Sequence, residues 1–164
     1  MDRISSESCG STSETAREST SAPIISLSCC TARARAWARG SPGADLLEHG
    51  KGNPWRRYVA EYLSKEHRDD PGRGCTLGAL SADAARQGPE LQAGFAKAIE
   101  QVIDIFADHL AKASPAEPRA SLRARAVQQF SEMIGALVLS RTVAGANPRL
   151  SDEILSANRR RLER

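Results

Sequence analysis

The sequence predicts an all-α protein, a helical bundle preceded by a weakly structured N-terminal segment. Three observations predict it. Apolar residues recur at three- and four-residue spacing through most of the chain after residue 43. Apolar residues make up 40% of the 164 positions but aromatics only 4%, so the core must be built from Leu, Ile, Val and Ala, which suits helices packed closely through small side chains. Strand signals, runs of alternating β-branched and aromatic residues, are absent. The length suits one domain with a full core.

The chain divides near Ser41. Residues 1–43 are rich in Ser, Thr, Ala and Arg, with "APIISLSCC" as the one cluster able to pack and "TARARAWARGSPG" alternating small and basic residues. Such a segment buries too little apolar surface to offset its ordering entropy, so disorder or a marginal helix is expected there, and the functional reading is a basic arm for nucleic acid or an acidic partner. Residues 44–164 form the expected domain. In "GNPWRRYVAEYLSKEH", Asn53 caps a helix and Pro54 fits its first position. Trp55, Tyr58, Val59, Tyr62 and Leu63 then follow one face, and His67 to Gly74 breaks the helix. A short helix from about Thr76 to Arg86 carries Leu77, Leu80 and Ala84 on one side. Gly88-Pro89 stops it and starts a longer one, with Leu91, Phe95, Ile99, Val102, Phe106 and Leu110 inward. The prolines of "KASPAEPR" make a loop. The longest helix spans about Pro118 to Ala144 and carries Leu122, Val127, Phe130, Ile134, Leu137 and Val138 as its apolar positions. Ser151 is expected to cap a last helix whose apolar side is Leu150, Ile154, Leu155 and Leu162.

Several chemistries lack the residues they need. The net charge of +3 points to no particular partner. No apolar run approaches the roughly 18–20 residues of a membrane span, and the first twenty residues lack the apolar core of a secretory signal. Cys9, Cys29, Cys30 and Cys75 have no metal-ligand spacing, and the adjacent pair suits a disulfide poorly, so a cytoplasmic protein with reduced thiols is expected. Gly72, Gly74 and Gly78 are spaced one residue too long for a dinucleotide fingerprint and follow no strand; Ala79 and Leu80 after Gly78 exclude a P-loop. Cys75 with His67 is the one catalytic pairing the sequence offers, and a small buried cysteine opening a helix is the simpler reading. No enzyme activity, cofactor or metal is expected.

The segments "YLSKEHRDDPGRGCTLGALSADAAR", "GPELQAGFAKAIEQVIDIFADHLAKA" and "RARAVQQFSEMIGALVLSRTVAGANPRLSDEILSANRR", in this order, resemble the C-terminal domain of TetR/AcrR-family transcriptional regulators from about Leu46 to Arg164. The resemblance implies an all-helical domain around a small-molecule pocket, with the last two long helices pairing with a second copy. The Gly-Cys joint is then the hinge between two pocket-wall helices. Helical phase offers Trp55, Tyr58, Val59 and Tyr62 for one pocket wall, Leu77 and Leu80 at the joint, and Phe95, Ile99, Val102 and Phe106 opposite, around an apolar ligand. The run "MIGALVL" is apolar nearly all round, so Met133, Gly135, Ala136, Leu137, Val138 and Arg141, with Ile154, Leu155 and Asn158, are expected at a homodimer interface.

Family members begin with a helix-turn-helix reader, and residues 1–43 contain no such helix pair. Their composition is that of a GC-rich gene read out of frame, which points to a frameshifted reading or a truncated relic. The chain as written is expected not to read DNA specifically; Arg33, Arg35, Arg39, Arg159, Arg160, Arg161 and Arg164 leave only a salt-sensitive attraction to phosphates. The alternative to a ligand sensor is a stand-alone helical dimerisation module without ligand.

Overall fold

A computed structural model of the protein describes residues 42–72 and 74–164. The expectations for residues 1–41, including disorder, the basic arm and the missing reader, fall outside the described residues. Within them the structure is helical throughout, with no strand: α1 (Pro42–His49), α2 (Pro54–Tyr62), α3 (Lys65–Asp69), α4 (Thr76–Ala84), α5 (Pro89–Ala113), α6 (Arg119–Val143) and α7 (Pro148–Leu162).

Local chemistry sets most helix starts. Asn53 accepts the Arg56 amide at 3.0 Å, and Pro54, Pro89 and Pro148 occupy first-turn positions where no amide partner is needed. Two expectations need correction. The break expected from His67 begins earlier, after Tyr62, and His67 to Asp69 belong to a short helix, α3, which Ser64 caps by accepting the His67 amide at 3.1 Å. Ser151 does not cap the last helix. Asn147 does, accepting the Leu150 amide at 3.1 Å, and Ser151 lies one turn inside with no exposed surface.

The long helices α5 and α6, each 25 residues, run antiparallel as a hairpin. Arg119 and Arg123 at the start of α6 pair with Asp108, Asp104 and Glu100, from the last turns of α5 back to its middle, which fixes the register from outside. α7 folds back along α6, joined by Ser151, which donates to the Ser140 carbonyl at 2.8 Å, and by Arg161, 3.0 Å from Glu132. The shorter α1, α2 and α4 pack across this frame. Val59, Ala98, Ala107, Ala126, Met133 and Leu137 have no exposed surface, and the alanines among them let helices approach closely.

Candidate functional site

α2 delivers the aromatic side of the interior. Its period places Trp55, Tyr58, Val59 and Tyr62 on one face, and the rings of Trp55 and Tyr58 meet Phe106 of α5 edge to face, which in turn meets Phe130 of α6. Trp55 lies 5.2 Å and Tyr58 5.5 Å from Phe106, centroid to centroid, and Phe106 lies 5.9 Å from Phe130. Trp55 also stacks on His109 and donates its indole N–H to the Leu162 carbonyl at 2.6 Å, tying α2 to the end of α7. All ten residues expected around a pocket join this one interior. Tyr58, Val59, Tyr62, Leu77, Phe95, Val102 and Phe106 are buried, while Trp55, Leu80 and Ile99 pack partly buried against them. Burial raises the pKa of both tyrosines, first through desolvation and then through Cys75, so both phenols stay neutral.

Beside the rings lies a polar joint. The His67 ring edges onto Tyr62 at 4.7 Å. Its Nδ1–H donates to the Tyr62 carbonyl at 2.7 Å, and its Nε2 accepts the Cys75 amide at 3.0 Å. Both ring nitrogens are thus engaged and the neutral tautomer is selected. Cys75 is the N-cap of α4. It has no exposed surface, and its Sγ accepts the Gly78 amide at 3.4 Å. Burial pushes the thiol up, the reverse of what a reactive cysteine needs. Gly74 is required here: a Cβ would come within 2.6 Å of the His67 ring.

Arg141 reaches this joint from α6. Its Nη2 donates to the His67 carbonyl at 2.7 Å and its Nε to the Arg68 carbonyl at 3.0 Å. Helical phase put Arg141 with the dimer residues, but its guanidinium serves the chain's own α3 carbonyls. Arg68 then crosses to α7, donating to Ser151 and Asp152 at 2.9 Å each. Sequence inspection missed this bracing because the partners are seventy or more positions apart; only the lone arginine ending an apolar run hinted at it.

The other expected dimer residues divide between two sides of α6–α7. Met133, Ala136, Leu137 and Leu155 are buried in the chain's own core. Gly135 and Val138 lie on the outer side, where a Cβ on Gly135 would meet nothing within 4 Å. Leu139 beside them is 58% exposed, Val138 38%, and Leu150 on α7 40%. Ile154 and Asn158 are half-buried, with Asn158 donating to the Ile154 carbonyl at 2.8 Å. Among the described residues no group of three His, Cys, Asp or Glu is arranged to hold a metal, and no helix is long and apolar enough to cross a membrane.

The fold defines the class: an all-α helical-bundle domain. The family model for the C-terminal domain of LmrA/YxaF-like transcriptional regulators matches residues 55–148, from the first turn of α2 to the start of α7, and the chain belongs to that family of TetR-type regulator domains. No curated protein and no solved structure matches the chain.

Proposed function

We propose that the chain is the small-molecule-sensing and dimerising domain of a TetR-like transcriptional regulator, acting in the cytoplasm as a homodimer and without enzyme activity. The observation that carries the dimer is the bare apolar strip of Val138, Leu139 and Leu150 beside the open surface at Gly135. Large apolar side chains grouped on adjoining helices lose water contact favourably only against another surface, and a symmetric pair of copies supplies one. The ligand site is the interior between α2, α4, α5 and α6, where apolar walls would hold an apolar body. Ligand there would shift α4 against α6, and α6 belongs to both the interior and the dimer face, so the two equilibria are linked. DNA would be engaged only through a helix-turn-helix, which is not recognisable in this sequence.

Sedimentation equilibrium tests the dimer. A dimer with roughly micromolar affinity, about 8 kcal/mol, is expected, and Leu139→Glu should convert it to a folded monomer. A wild-type monomer at tens of micromolar, or a Leu139→Glu dimer of unchanged strength, would refute this face. The second reading, a dimerisation module without ligand, is supported by the ring-on-ring packing of Trp55, Tyr58, Phe106 and Phe130, which fills space with the protein's own atoms. Native mass spectrometry of purified protein separates the two: bound small-molecule mass favours the sensor.

A further inference from the structure

We propose that the ligand of this domain carries an anionic oxygen head, a carboxylate on an apolar body, and that Arg141 receives it. The inference rests on the reading of the interior as a ligand site and names the ligand's chemical class. Among the described residues Arg141 has no carboxylate partner; its hydrogen bonds go to backbone carbonyls. Two of its three nitrogens are satisfied by neutral acceptors, the carbonyls of His67 and Arg68. The third, Nη1, is closed off from solvent and has no hydrogen-bond partner among the described residues. The ionisable groups near enough to act on the guanidinium are the Tyr62 phenol, the Cys75 thiol and the His67 imidazole; among the described residues no carboxylate does so. Burial keeps the phenol and the thiol protonated and the imidazole neutral, so none of them balances the charge.

A buried charge is normally paired, and a buried donor without an acceptor points to a missing ion, water or ligand group. Other buried or half-buried arginines of this fold are answered: Arg68 has Asp69 and Asp152. Among the described arginines Arg141 is the one with a closed-off, partnerless nitrogen, and Tyr62 and Cys75 stand near enough to act on its charge. Tyr62 links that charge to the aromatic interior. Its ring packs on Tyr58 at 5.8 Å, its hydroxyl lies 3.6 Å from where a Gly78 Cβ would stand, and its phenol is near enough to act on the Arg141 charge. A carboxylate at that edge would accept from Nη1 in a charge-assisted bond, while its apolar body lay among Tyr58, Leu77 and Phe106. A cation offering one donor atom selects an acid over its amide and discriminates little between apolar bodies, which the surrounding rings then do.

The test uses the full chain at pH 7.5, with calorimetric titration of octanoate, octanamide and acetate. Octanoate is expected to bind at least about tenfold more tightly than octanamide, about 1.4 kcal/mol, and acetate to bind far more weakly than octanoate. Arg141→Gln should abolish the preference for the acid while leaving octanamide binding in place. Because Arg141 also braces α3, that variant can fail to fold; the side-chain ¹⁵N resonances of Arg141 in the wild-type protein then decide. They should shift with octanoate and not with octanamide. Equal binding of acid and amide, or an acid preference that survives Arg141→Gln, overturns the anionic head and leaves the apolar ligand site standing, with Arg141 a brace only. Acetate binding as tightly as octanoate would mean a simple anion site and overturns the ligand class. Binding of none of the three overturns the inference, and then bound small-molecule mass in the purified protein still tests the sensor reading separately.

Discussion

The inner and outer sides of α6 draw on the same stretch of sequence and meet opposite fates. Met133, Ala136 and Leu137 face inward with almost no exposed surface; Gly135, Val138 and Leu139, interleaved with them, face outward. Composition does not separate the two sets, since both are small or aliphatic. Their neighbours do. The inner residues meet α2, α4 and α5, and on the outer side Gly135 has open space. An apolar side chain therefore stabilises this fold only where another element covers it, and the outer set is available to a second molecule.

Substitutions can break that comparison. The largest effect should come at Leu137. Truncation to Ala leaves a cavity in a fully buried site and should cost about 2–5 kcal/mol by urea titration, whereas Leu139→Ala, at a 58% exposed position, should shift monomer stability by under ~0.5 kcal/mol. Equal losses would mean that the two sides are not distinct. Next comes Gly74→Ala. Its Cβ would sit 2.6 Å from a ring held by two hydrogen bonds, so the ring cannot step aside, and about 1–3 kcal/mol should be lost. A neutral result would show that the joint is softer than its contacts imply.

The joint also predicts a pH effect. Burial, then the Arg141 charge, holds His67 below its ordinary value of 6.5, against the Tyr62 carbonyl bond that works the other way. The folded state thus binds fewer protons than the unfolded chain below about that pH, where the unfolded imidazole takes one up. His67's contribution is complete above 6.5 and is lost as pH falls from there toward the depressed folded value. Protonation would also remove the acceptor that holds the Cys75 amide. His109, lowered by burial as well, adds in the same direction. Urea midpoints between pH 7.5 and 5.5 should fall more for the wild type than for His67→Gln; parallel lines would show that His67 titrates as a free imidazole. The smallest effect belongs to the outer side again: Gly135→Ala meets open space in mid-helix and should stabilise the monomer by up to about 1 kcal/mol, read as a raised thermal midpoint at concentrations below dimerisation. Destabilisation at the same dilution would put Gly135 in a contact that the single chain does not contain.

Asn53-Pro54 and Gly88-Pro89 marked helix starts correctly, because a cap acts within one turn and its partners are three or four positions away. Tyr58, Phe95, Val102 and Phe106 were placed inward by period alone, and Cys75 as a buried residue opening a helix, since a helix's apolar face must be covered whatever covers it. Ser151 shows the limit of that reasoning. As a sequence letter it looks like a cap, but its hydroxyl donates to the Ser140 carbonyl on the neighbouring helix and receives Arg68 from α3.

By itself, then, the sequence determined that this chain is helical, where its long helices begin and end, and which side of α5 turns inward, because backbone hydrogen bonding and apolar period are local. Only the tertiary structure decided which of the apolar positions on α6 are covered, that Arg141 turns to the His67 and Arg68 carbonyls, and that His67, Cys75 and Tyr62 close into one hydrogen-bonded joint. Those outcomes depend on elements brought together from as far as seventy-four residues apart, 67 to 141, and no local propensity carries that information.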